Sequence, residues 1–200
     1  VQHQPQLPKD SYYALYPFGS RVYGTARSDS DWDYVAIKDQ VRLGEMNKGL
    51  INIRYLTPNH FQRLLDEHHI MALECYHLPS DKVLIQPDVP WKFKLDKARL
   101  RHSLSEKSSH SWVKAKKKFV SPYDREKELE RGKKSLWHSI RIISFGIQIA
   151  TSRSIFRYSE VNHLFKEIMD DLSEDWQHYE EKWKPVRNSM LTNFREVAPK

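Results

Sequence analysis

The apolar residues change their spacing near residue 90, and that change restricts the chain to a strand-bearing part followed by a helical part. Before it, short runs alternate with period two, the mark of half-buried strands. Residues 12–18 form an aromatic-rich first strand that ends at Gly19-Ser20. Residues 32–38 form a second, with Trp32, Tyr34 and Ala36 on one side and Asp33, Val35 and Ile37 on the other. Residues 50–56 are a third strand and residues 83–85 a short one. Thr57 reads as a helix N-cap with Pro58 at the first helical position, ahead of Phe61, Leu64 and Leu65. Residues 70–77 read as a second helix. Beyond residue 94 the pattern is helical, most clearly over residues 122–149. There Ser121 is the expected cap, and Asp124 sits in the first turn, where the helix dipole favours a carboxylate. Leu129, Leu136, Ile140, Ile143 and Ile147 fall on one stripe at about 100° per residue. Helices over residues 159–171 and from near Glu174 follow, the last broken or kinked at Pro185. The expected class is α+β: a small mixed β-sheet core with helices on it over residues 1–91, then a C-terminal helical region over residues 92–200 that completes the fold.

Charge is as uneven as the hydrophobic pattern. The chain has 200 residues and a formal net charge of +7. Residues 1–91 carry 9 Lys and Arg against 11 Asp and Glu, whereas residues 92–141 carry 16 against 6. A basic segment beside an acidic loop suits a polyanionic partner, a nucleotide or a nucleic acid. No apolar run approaches the roughly 20 residues of a membrane helix. Residues 1–10 are polar and Pro-bearing, without a secretory apolar region, and read as a frayed arm. The expectation is an intracellular protein, cytoplasmic by preference, with no membrane partner. One cysteine, Cys75, lies in an apolar run. It can form neither an intrachain disulfide nor a cysteine zinc site and reads as a buried small hydrophobe.

The chemistry concentrates in residues 19–33. Gly19-Ser20 directly after a strand permits a tight turn. A helix starting there would offer free N–H groups and the Ser20 hydroxyl to a phosphate. Asp31 and Asp33 flank Trp32 at the start of the second strand, so their side chains emerge on the same side. Two carboxylates so placed repel each other unless a cation lies between them. Magnesium, a hard ion that prefers oxygen ligands and substrate phosphates, is the natural one, with manganese as its substitute. A phosphate cradle beside such an ion can stabilise both oxygens of an in-line displacement at phosphorus.

The order Gly19, Ser20, Tyr23, Gly24, then Ser30, Asp31, Asp33, Tyr34 resembles the signature of the DNA polymerase β-type nucleotidyltransferase superfamily. It is most similar to the branch of bacterial and viral predicted nucleotidyltransferases. The resemblance spans roughly residues 12–150 and is weaker after residue 40. It implies two magnesium ions on Asp31 and Asp33, an NTP donor such as ATP held by Gly19 and Ser20, and transfer of NMP to a hydroxyl. An RNA 3′ end is the favoured acceptor, with a protein or small molecule as alternatives. The superfamily places a third carboxylate on a neighbouring strand. Here Asn52 stands at that position, an amide with neither charge nor basicity. Either the protein is a catalytically impaired nucleotide- or RNA-binding module, or Glu45 or Glu74 substitutes.

Two further sets of residues are candidates. Lys134, His138 and Arg141 share a helix face opposite the apolar stripe, and the same branch shows Lys, His and Arg at this spacing. They read as phosphate contacts of the nucleotide or as an ordinary solvated face. Lys114, Lys116, Lys117 and Lys118, flanked by Trp112 and Phe119, suit single-stranded nucleic acid; otherwise they form a solvated loop leading into Ser121.

Overall fold

The computed structural model describes residues 11–199, and the arm expected over residues 1–10 lies outside the described residues. The chain divides into two compact units, with the boundary after Lys94. The fold is α+β: a four-stranded mixed sheet with helices, then a helical C-terminal region.

The first unit runs β1 (Ala14–Phe18), α1 (Ser20–Tyr23), β2 (Trp32–Ile37), β3 (Gly44–Lys48), β4 (Ile51–Leu56), α2 (Pro58–Asp66) and α3 (Ile70–Tyr76). The strand order is β1-β2-β4-β3, with β2 and β4 parallel and both edge pairs antiparallel. Leu15, Tyr34, Ala36 and Ile53 pack together on one face. The other face carries Asp33, Val35 and Ile37, and there Tyr16 stacks on Phe61 of α2 with ring centroids 5.8 Å apart. Thr57 caps α2 as expected, its side chain accepting from the His60 N–H. His69 does the same for α3 through Met71. Cys75 is buried and free. β3 was not expected. Its residues are exposed except for half-buried Met46, so it has no apolar alternation to betray it. The strand expected over residues 83–85 reduces to a 3₁₀ turn (Ser80–Lys82) and a single bridge between Leu15 and Ile85.

The second unit contains α4 (Lys97–Phe119), α5 (Arg125–Ser152), α6 (Asn162–Asp170) and α7 (Trp176–Val197). α4 and α5 pack against each other, and the Ser108 hydroxyl donates to the Ser139 carbonyl at 2.7 Å. α5 begins three residues later than the sequence suggests. Ser121 accepts from the Tyr123 N–H in a local turn, and Asp124 takes the N-cap position in a left-handed conformation, φ 33°. Nor does α7 break at Pro185. Trp176, Tyr179, Trp183, Arg187, Leu191 and Phe194 continue one buried stripe across the proline, and their packing outweighs the hydrogen bond the ring removes. α6 is shorter than expected at its start, where Val161 is the N-cap residue. No described helix is long and apolar enough to cross a membrane.

Gly146 marks the tightest contact between α5 and α7. A Cβ there would lie 2.5 Å from Cζ of Phe194. Alanine favours a helix by roughly 1 kcal/mol over glycine, but overpacking costs typically about 1–3 kcal/mol. Gly146→Ala should therefore lower the melting temperature. Gly146→Ala/Phe194→Leu should recover part of the loss in the same thermal melt.

Candidate active site

The site starts where β1 runs into α1. Gly19 has φ 76° and ψ −155°, a conformation that side-chain-bearing residues avoid. A Cβ at this position would also overlap the Asp33 carboxylate. Glycine thus brings the backbone directly against that carboxylate. α1 is a single turn that ends at Gly24 in the left-handed conformation, φ 78°. Two residues of α1 fix its position. Tyr23 is buried against the edge of Phe18, and its hydroxyl donates to Oε2 of Glu74 on α3 at 2.5 Å. Arg21 donates to the carbonyls of Ser30, at 2.6 Å, and Asp31, at 3.2 Å, while its guanidinium lies 3.9 Å over the Trp32 ring. The loop of residues 25–31 is also tied to itself, the Arg27 N–H donating to the Ser30 hydroxyl at 2.8 Å.

These contacts deliver Asp31 to the mouth of β2 beside Asp33. The parallel register pairs Asp33 with Asn52 on β4, which puts Asn52 on the same sheet face. The Asn52 Nδ2 donates to Asp33 Oδ1 at 3.0 Å and to Asp31 Oδ2 at 3.2 Å. One neutral amide therefore bridges two acids. Asp33 has its pKa raised from the ordinary aspartate value. Burial is the main cause; the Asn52 hydrogen bond opposes it, the Asp31 charge adds to it, Arg21 opposes it and Glu45 adds to it. A carboxylate pushed up by burial and a like charge is one that a divalent cation would favour strongly. The donor set fits one such ion carried with a nucleotide: two carboxylates, with phosphate oxygens to complete it. It does not supply an anionic third corner. Among the described residues no three His, Cys, Asp or Glu side chains gather into a metal-holding group.

The alternative acids are committed elsewhere. Glu45 on β3 pairs with Arg54 of β4, whose Nε is 2.9 Å away. Glu74 takes the Tyr23 hydroxyl and so orients α1. Sequence reading missed this tie, and also the role of Arg21. The available signal was an arginine and a tyrosine inside the same Gly-rich turn.

Lys134, His138 and Arg141 lie in the second unit, on α5; the Lys134 side chain is 45% exposed and His138 half-buried, whereas Arg141 is buried. α5 is buried on nearly every side from Ser135 onward, and Arg141 is 4% exposed. Its Nε donates to His138 Nδ1 at 3.2 Å, and its guanidinium lies 4.9 Å from the Phe145 ring centroid. Lys134 pairs with Glu130 at 2.9 Å. His138 is held neutral, far below its ordinary pKa, by burial and then by the charges of Arg141, Lys114 and Lys134. The three residues do gather, and Lys114 of α4 joins them. The lysine run at 114–118 is the end of α4 and not a loop, so its members diverge around a helix. Neither a protein-family model nor a curated protein sequence matches the chain.

The raised pKa of Asp33 has a consequence in metal-free buffer. A group whose folded pKa exceeds its unfolded one contributes stability below the unfolded value and loses it as pH rises through the folded value. Asp33→Asn keeps an acceptor for Asn52 and removes the charge. It should melt at a higher temperature than the parent at neutral pH. The difference should vanish as pH falls below about 4, the ordinary aspartate pKa. Thermal melts across this pH range check it.

Proposed function

We propose that this protein is a metal-dependent nucleotidyltransferase of the DNA polymerase β type, which moves NMP from an NTP, ATP by preference, to a hydroxyl acceptor. The acceptor we favour is an RNA 3′ end. The observation that carries this reading is the pair Asp31 and Asp33, held on one sheet face against the Gly19 backbone and bridged only by an amide. Side-chain charge of that kind is costly without a cation, and the neighbouring Gly19-Ser20 turn offers backbone N–H groups and a hydroxyl to a phosphate. Asp31 and Asp33 would hold magnesium or manganese with the nucleotide. When bound, the ion supplies electrostatic stabilisation to the phosphoryl oxygens during in-line displacement. Ser20 and the Gly19-Ser20 backbone would hold the β and γ phosphates. Arg21 keeps the Asp31 backbone in place, and the Tyr23–Glu74 hydrogen bond keeps the Ser20 turn in place. The acceptor hydroxyl oxygen bonds to the α phosphorus and gives up its proton to solvent, and the bond to the bridging oxygen breaks with loss of pyrophosphate.

One observation favours a second reading, a nucleotide- or RNA-binding module of the same type with impaired turnover. Asn52 donates where a third carboxylate would accept, so it can take no proton from an acceptor hydroxyl.

Two experiments test these readings. Asp31→Ala and Asp33→Ala should each remove the rise in melting temperature caused by Mg-ATP while leaving the apo protein folded. Retained stabilisation in both variants defeats the site assignment. Incubation with radiolabelled NTP and RNA then separates enzyme from module. General-base assistance is typically worth about 10²–10⁴-fold. Asn52→Asp should therefore raise labelling by at least about a hundredfold with little change in NTP affinity. Strong labelling by the present sequence, unchanged in Asn52→Asp, would show that Asn52 does not occupy the position of a missing acid.

A further inference from the structure

The charge excess of this protein resides on one helix. α4 carries eight Lys and Arg and a single acid, Glu106, so its formal charge equals the +7 of the whole chain. Not all of that charge is available. Lys118 is bound by Glu128 at 2.6 Å, and Lys97 donates to the Val197 carbonyl. Lys116 points to the side of α4 that faces α7. There it lines a groove with Trp176, Glu180 and Lys184 and feels the Glu180 charge.

Besides Arg99 and Arg101 near the start of α4, what remains is a row. Lys107, His110, Lys114 and Lys117 are all exposed and recur at spacings of 3, 4 and 3. At about 100° per residue they fall within an arc of roughly 80° on the helix surface. At 1.5 Å per residue the row is about 15 Å long, near the rise of four nucleotides in one strand of a duplex. Lys107, Lys114 and Lys117 make no ion pair with any described residue. Glu106 sits at the edge of the row, exposed and likewise without an ion pair. Past the end of α4 the turn presents Tyr123, 77% exposed, and Val120, 67% exposed. A tyrosine so exposed, shortly after Lys117 in the chain, provides a face on which a base can stack. Among the described residues of α4, Leu100, Leu104, Ala115 and Phe119 are buried within the unit and Val113 alone of the large apolar side chains is exposed, which falls short of a continuous face to insert into lipid. The half-buried Ser111, which borders the row at Lys107 on the helix surface, supplies a hydroxyl for a ribose 2′-hydroxyl.

We propose that the outer face of α4, with Lys107, His110, Lys114 and Lys117 on the phosphates and Tyr123 under a base, binds single-stranded RNA. The surface rests on the transferase reading only for the use made of the bound RNA; binding itself stands without it.

The test uses the full chain and fluorescein-labelled oligouridylate, followed by anisotropy over a range of salt. Single-strand binding loses affinity with a log–log slope of about −0.7 per phosphate neutralised. The three lysines should therefore give the parent a slope near −2, and Lys107→Gln/Lys114→Gln/Lys117→Gln a slope near zero with at least tenfold weaker binding. Tyr123→Ala should weaken binding about tenfold with the slope unchanged, since stacking contributes about 1–3 kcal/mol per base. Lys82→Gln/Lys92→Gln/Lys94→Gln, an equal charge change in the first unit, should leave binding intact. Circular dichroism and melting temperature confirm that each variant is folded. Parental slope and affinity in the α4 triple variant would overturn the proposal, and so would no RNA binding by the parent. Equal affinity for the oligodeoxythymidylate would overturn the assignment to RNA. Capture by phosphatidylserine vesicles with no affinity for RNA would reassign the face to lipid. Asp31→Ala should bind RNA as the parent does. RNA binding by a parent protein that Mg-ATP does not stabilise would sustain this surface and defeat the transferase reading.

Discussion

Two like charges on the same side of one strand, against the backbone of a neighbouring turn, set the terms for the first unit. Burial first, and then the Asp31 charge, raise the proton affinity of Asp33. The surrounding structure is arranged to hold them there regardless. Gly19 gives up a side chain so that Asp33 can occupy the space. Arg21 ties down the carbonyls of Ser30 and Asp31 and adds a positive charge nearby. Tyr23 anchors the same turn to Glu74. Asn52 comes into place by register alone, because β4 runs parallel to β2 and offers it opposite Asp33. Each of these features would be a pointless complication in a sheet whose only task was to bury apolar surface.

The second unit follows another logic. α5 is surrounded by protein over most of its length, so its polar residues need partners within the unit. Ser108 donates to the Ser139 carbonyl and receives a hydrogen bond from Arg187. Gln148 both donates to and accepts from the Arg157 backbone. Arg187 is nearly buried with serine hydroxyls and the Trp112 ring as its contacts, and burial lowers its pKa. Along α4, Lys107, Lys114 and Lys117 make no ion pair with any described residue.

The strands with alternating apolar residues, the Thr57 cap and the buried stripes were legible in the chain, because each is a local pattern. Register was partly legible. Asn52 could be placed by its distance from Phe61, yet its two donated hydrogen bonds depend on pairing that no local pattern records. β3 was invisible because an exposed edge strand shows no burial period. The start of α5 was misread because Ser121-Pro122 looks like a cap and first turn, whereas the hydroxyl serves a tighter turn. At Pro185 the local rule allows a break or a kink, and the break does not occur, because a stripe of large side chains on both sides carries the helix through. The spacing of the Lys-His-Arg set was legible and the burial of Arg141 was not, since helical spacing does not reveal how many neighbours surround a helix.

The two units also differ in how far along the chain their partners lie. α4 and α5 are joined through residues 120–124 alone, so their pairing forms between close neighbours in sequence. β2 must wait for β4, with β3 made in between and placed outside it, and β1 must close on β2 from across the Gly19 turn. Contacts of the first kind form quickly and those of the second slowly. On the ribosome the sheet emerges first, and the slower unit has a head start. After dilution from denaturant that advantage is gone. The helical pair then collapses while β2 is still a bare strand with both edges open, and the route through which the protein is recovered becomes the one most exposed to aggregation.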